Sequence, residues 1–215
     1  MKNIILSAFS RYGDYPANSS ELVAESLQGT VPAGYLVHTE IFPATIPDGE
    51  NRGASLLNAA ASLNASGIVC LGMASKKRSL CIETIARNIT YGKYCPPELE
   101  ENPINSDNPL GEQLPIDLYS WQIKKYRNIC QRARISVRFS CDAGGFCCNH
   151  LMYQMEDLRL RNESFRSIPW IFMHIPCSPE AVPPSVEAFT AAGKVTMSVN
   201  DMVRGVEILL ANASI

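Results

Sequence analysis

Two stretches constrain the fold more than any others: "GIVCLGMA", residues 67–74, and "WIFMHIP", residues 170–176. Each is a near-continuous apolar run of strand length with no polar alternation. A strand covered on one face reads apolar-polar-apolar, so an uninterrupted run needs cover on both faces, the condition of a parallel strand buried between layers of helix. "KNIILSAF" (2–9) and "AGYLVHTEIF" (33–42) read as further strands and "ISVRFS" (135–140) as another.

Helical segments fall between them. Ser19 and Ser20 can cap "SELVAESLQG", which stops at Gly29, and the Ala-rich "GENRGASLLNAAASLNASG" is closed by Gly67. "IDLYSWQIKKYRNICQRAR" resumes helical spacing, another helix starts at about Asn149, and a last one runs over 198–211. "SLCIETIARNIT" (79–90) is helical or extended. Residues 94–115, rich in Pro, Asn and Glu, read as a long irregular excursion. Strand and helix in alternation define the α/β class, a single three-layer α/β/α domain over 1–215 with a mostly parallel mixed sheet, phosphorylase/hydrolase-like in layout.

Length and composition agree. With 215 residues and 46% hydrophobic content, the chain can bury one sizeable core. A net charge of -2 gives no global field for a phosphate backbone, so nucleic acid is excluded as a partner, and Lys76-Lys77-Arg78 reads as a solvated loop. No segment reaches the ~18 apolar residues of a membrane span. The first residues lack the length and cleavage pattern of a signal peptide, so the expected location is cytoplasmic.

The eight cysteines form no CxxC pair, and adjacent Cys147 and Cys148 suit one tetrahedral metal poorly. In "DAGGFCCNHLMY" (142–153) they follow a glycine pair and open a helix. A thiol there meets free amide donors and the positive end of the dipole, which lower its pKa and can stabilise an oxyanion. Periodicity does not choose between the two: Cys148 shares a face with Met152 and Met155, Cys147 with Leu151 and Leu158. Of the three histidines, His174 ends the apolar run "WIFMH", where α/β sites collect, though a core histidine bonded to backbone is the commoner reading of such a position. Glu83 sits among apolar neighbours. Taken alone it reads as an exposed helical Glu, and if buried it needs a partner such as a histidine.

In order along the chain, these pieces resemble the pyroglutamyl peptidase I family, the pyrrolidone-carboxylate peptidases. "DAGGFCCNHLMY" is similar to the family's "SAGxYVCNxxxY", Phe172-Met173-His174-Ile175-Pro176 to "FIHxP", and Glu83 through Asn88 to "ERVAxN". "AFSRYGDYPANSS" resembles the family's opening loop, and Met197-Ser198-Val199 through Glu207 its C-terminal motif. The resemblance selects Cys148 as nucleophile, His174 as base and Glu83 as the carboxylate orienting it, with a thioester intermediate and neither metal nor organic cofactor.

It also implies a lactam-ring pocket from Phe9 and Tyr12, with Asn18 and the backbone near Met73, and peptides with an N-terminal pyroglutamate as substrates. A homodimer or homotetramer is implied as well. Three departures stand near the substrate. Gly72-Met73-Ala74-Ser75-Lys76-Lys77 replaces "GxAGGR", Lys93 replaces an active-site arginine, and Tyr12 replaces a Phe. Alternatives of other kinds are a binding protein of the same fold without efficient turnover, and a hydrolase of another small cyclic amide.

Overall fold

The computed structural model describes residues 1–46, 51–91, 101–183 and 196–215. In chain order the elements are β1 (Lys2–Phe9), α1 (Ser19–Leu27), β2 (Tyr35–Phe42), α2 (Arg52–Ser62), β3 (Ala65–Met73) and β4 (Leu80–Glu83). Short strands β5 (Ile85–Arg87), β6 (Thr90–Tyr91), β7 (Glu101–Asn102) and β8 (Gln113–Pro115) come next. Then come α3 (Ile123–Arg132), β9 (Val137–Ser140), α4 (Cys147–Arg161), α5 (Glu163–Arg166), β10 (Trp170–Ile175) and a final helix, Val199–Asn212.

Six strands form the central sheet in the order β2-β1-β3-β10-β4-β9. The first four are mutually parallel, β4 is antiparallel to β10, and β9 is parallel to β4. This is the mixed, mostly parallel α/β sheet expected, with helices on both faces. Alternate residues of each strand serve opposite cores. Val69, Leu71, Ile171 and Met173 pack with α1, α3 and the final helix; Ile68, Cys70, Trp170 and Phe172 pack with α2 and α4. Double burial explains why β3 and β10 read as unbroken apolar runs. The crossovers β1-α1-β2 and β2-α2-β3 put their helices on opposite faces as the chain reverses direction beside β1.

Several boundaries differ from expectation. Asn18, not Ser19 or Ser20, caps α1: its side chain accepts from Ser20 N, and the two serines are the first helical residues. Helix α2 ends at Ser62, not at Gly67, because Asn64 adopts φ 47°, the left-handed position a glycine would have marked, and β3 has begun by Ala65. The stretch 79–90 is extended throughout its described pairings, and Glu83 ends a fully buried strand instead of facing water on a helix. Helix α4 starts at Cys147, two residues early.

The excursion after β6 is not wholly irregular. Strand β8 pairs with β5, and β7 with β6. Between them Asn88 acts as a hub. Its Nδ2 donates to the carbonyls of Asn105, Asn108 and Pro109 at 2.9, 3.1 and 3.0 Å, and its Oδ1 accepts from Asn105 N at 2.8 Å.

Candidate active site

Register across the sheet assembles the site. His174 on β10 pairs with Gly72 on β3, and on its other side with Cys81 on β4. Residues opposite one another project from the same face, so His174 points toward α4 from a row that has no side chain at Gly72. Cys148 fills that gap. A Cβ at Gly72 would lie 2.8 Å from its Sγ and 3.0 Å from the Phe172 ring. The thiol therefore sits over the strand position beside the imidazole, with neighbouring strands only ~4.8 Å apart.

Glu83 faces Phe172 across the β4–β10 ladder, one diagonal step from His174. Its Oε1 accepts from His174 Nδ1 at 2.8 Å, with the carboxylate fully buried and the imidazole 4% exposed. A carboxylate acceptor puts the ring proton on Nδ1 and leaves the Nε2 lone pair available. The Phe172 ring edge, 5.1 Å between centroids, holds the imidazole from the side.

Lys77 is the correction within the basic run. Instead of pointing into solvent it approaches Glu83 Oε1 at 3.5 Å and donates to Ser140 Oγ at 3.0 Å. Only a buried acid beside it gives that residue a purpose. The sequence held one signal, since Lys77 stands where the resembled family ends "GxAGGR" with a cation.

Cys148 is the second residue of α4, so its amide N–H belongs to the first turn, which has no carbonyl partner within the helix. The expectation of a lowered thiol pKa is corrected. A hydrogen bond with the Cys147 thiol, then burial, then the nearby charges of Cys147 and Glu83 push it well above the ordinary value, against a smaller pull from its own amide. These contacts favour the neutral thiol. Cys147, 4% exposed, packs in the apolar core on that face.

Four of the residues expected at the substrate lie together. Phe9, Tyr12, Asn18 and Met73 line one cavity of about 40 Å³ with Cys147 and Cys148, its wall completed by Ala44 and Phe146. Asn18 lines it while its polar atoms serve the loop, Nδ2 donating to Ser10 O at 2.9 Å. The Met73 sulfur accepts from Ser19 N and Oγ at 3.5 and 3.4 Å. Lys93 lies outside the described residues. Phe146, its ring centroid 6.5 Å from that of Tyr12, was missed, although an aromatic between a glycine pair and a cysteine pair was there to be read. Asn149 was also passed over as a positioning residue. Its side chain accepts from Arg87 N at 3.0 Å and donates to Arg87 O and Ile89 O at 2.9 Å, fastening the start of α4 to the segment that follows Glu83.

No helix among the described residues is long and apolar enough to cross a membrane.

A mixed α/β sheet with a thiol, an imidazole and a buried carboxylate on one face defines a hydrolase-like class, and comparison with known proteins narrows it. The family model described as pyroglutamyl peptidase matches residues 2–214. The chain belongs to the pyroglutamyl peptidase family. It is 28% identical over 214 residues to the pyrrolidone-carboxylate peptidase of Bacillus cytotoxicus, covering 98% of this chain and 92% of that one. The Streptococcus suis pyrrolidone-carboxylate peptidase is 30% identical over 209 residues, covering 96% and 90%. Among solved structures, pyroglutamyl peptidase I from Bacillus amyloliquefaciens superposes with a TM-score of 0.80 at 22% identity, covering 100% of this chain and 95% of that one. The pyrrolidone carboxyl peptidase from Thermococcus litoralis gives 0.79 at 18%, covering 99% and 93%.

Proposed function

We propose that the protein hydrolyses the amide bond after an N-terminal pyroglutamyl residue, using Cys148 as nucleophile, His174 as general base then acid, and Glu83 to orient the imidazole. The observation that carries this reading is the Glu83–His174 hydrogen bond of 2.8 Å beside a thiol seated over Gly72, the strand neighbour of His174.

With the neutral thiol favoured, the proton moves during attack. His174 Nε2 takes it as Cys148 Sγ bonds to the acyl carbon, and the carbonyl electrons move onto oxygen, where the Cys148 amide N–H donates to the oxyanion. Collapse of that intermediate breaks the C–N bond, and the imidazolium gives its proton to the departing amine. Water, deprotonated by His174, then attacks the thioester; the thiolate leaves and recovers its proton, releasing pyroglutamate. Glu83 keeps Nδ1 protonated and stabilises the imidazolium without taking the proton.

Phe9, Tyr12, Met73 and Phe146 offer apolar faces to a flat, uncharged ring. Asn18 supports that pocket through the loop it caps, and Lys93 remains assigned to the substrate by resemblance. The cavity, about 40 Å³, is well below the ~150 Å³ that accommodates benzene, so the aromatic wall of Tyr12 and Phe146 parts to admit a lactam. The same reading carries a cytoplasmic homodimer or homotetramer, checked by size-exclusion chromatography.

The test compares wild type with Cys148→Ser on a fluorogenic pyroglutamyl amide. Thiol-dependent release by wild type, lost in the variant, is expected. Equal release by both, or none by wild type, overturns the assignment.

A further inference from the structure

One row of the sheet, Gly72 on β3, His174 on β10, Cys81 on β4 and Arg138 on β9, lies in register across the molecule. The aromatic cavity and Cys148 stand at its β3 end and the imidazole comes next. A peptide whose ring enters that cavity must carry its remaining residues away on the His174 side, because the departing amine collects its proton there.

Beyond His174 the row continues through Cys81 and Arg138, and both line a groove of about 610 Å³ together with Lys76, Lys77 and Arg78. Lys77 approaches Glu83; Lys76 and Arg138 stand at exposed positions of the lining. Asp142, at the rim, is paired with Arg87. Of the charged residues in its lining, four are cations and one, Asp142, is an acid. The groove is thus locally basic in a chain whose net charge is -2.

We propose that this basic groove is the leaving-side subsite and that it selects pyroglutamyl peptides presenting a carboxylate immediately after the pyroglutamyl residue. The carboxylate is either an acidic side chain or the free C-terminus of a dipeptide. The inference rests on the peptidase reading above. Two strand spacings put the Arg138 and His174 Cα atoms roughly 10 Å apart, within the combined reach of a guanidinium and one extended residue.

Two substrate pairs separate the sources: pyroglutamyl-glutamate amide against pyroglutamyl-glutamine amide, and pyroglutamyl-alanine against its amide. At low salt, kcat/KM should favour the carboxylate member of at least one pair about fivefold, the preference shrinking toward unity near ~0.5 M salt. Arg138→Gln combined with Lys76→Gln should bring that ratio to about one, whereas Cys148→Ser lowers both members alike. Equal rates within both pairs for wild type, or a preference that survives the double substitution, overturns the inference and leaves the peptidase reading standing. No turnover of any pyroglutamyl amide by wild type overturns both.

Discussion

Cys148 Sγ stands where a side chain on Gly72 would begin, 2.8 Å from the position of its Cβ. Gly72→Ala must therefore displace the sulfur or the Phe172 ring beside it. A displacement of ~1 Å in a reacting atom is worth about a hundredfold in rate. We expect kcat/KM to fall by about that factor while the circular dichroism spectrum stays that of the wild type. Wild-type rates in the alanine variant would show that the thiol does not react from that seat.

Glu83 Oε1 is shared by His174 Nδ1 and Lys77 Nζ. Glu83→Gln should lower kcat about a thousandfold by removing the charge that stabilises the imidazolium. Lys77→Met should cost about tenfold in rate and about 1–2 kcal/mol in stability, since it leaves a buried carboxylate with one fewer partner. The two stability losses should not add, because the second substitution removes the charge that the first leaves exposed. Urea titrations of both single variants and the double variant measure this.

The raised pKa of Cys148 fixes the direction of its reactivity profile. Its iodoacetamide rate should climb on the alkaline side of an ordinary cysteine instead of levelling near neutrality. Cys147→Ala removes the largest cause and should shift the profile to lower pH. Cys141 is exposed and will also label. Mass spectrometry with and without pyroglutamate separates the two thiols, because ligand should protect Cys148 alone.

His150 is held neutral, its pKa lowered from 6.5 to about 4 by burial and by Arg52. As pH falls below ~6.5 the unfolded chain gains a proton that the folded protein refuses until near 4. Stability should therefore decline across that window by up to about 3 kcal/mol. His150→Gln should flatten this part of the pH–stability curve, read from urea midpoints between about pH 7 and pH 4.

The sheet was legible because β3 and β10 are covered on both faces, and double cover leaves an unbroken apolar run. The segments around α1 and the final helix were legible from their spacing, although the cap of α1 is Asn18 and not the serines that follow it. Glu83 was legible only through the family resemblance, for a polar residue in a short doubly buried strand has no periodicity to reveal it, and the imidazole that satisfies it lies 91 residues away in the chain. Lys77 depends on Glu83 in turn, so neither could be read alone. The end of α2 was hidden by Asn64 taking a backbone conformation usually left to glycine. The Cys148 pKa turns on contacts with Cys147 and Glu83, which a helix-terminus argument does not contain.

Asn88 gathers three carbonyl oxygens with one carboxamide nitrogen. Asn88→Asp would replace that nitrogen by a charged oxygen, turning three attractions into three repulsions at once. The chain between β7 and β8 should then come loose as a unit while the six-stranded sheet stays whole.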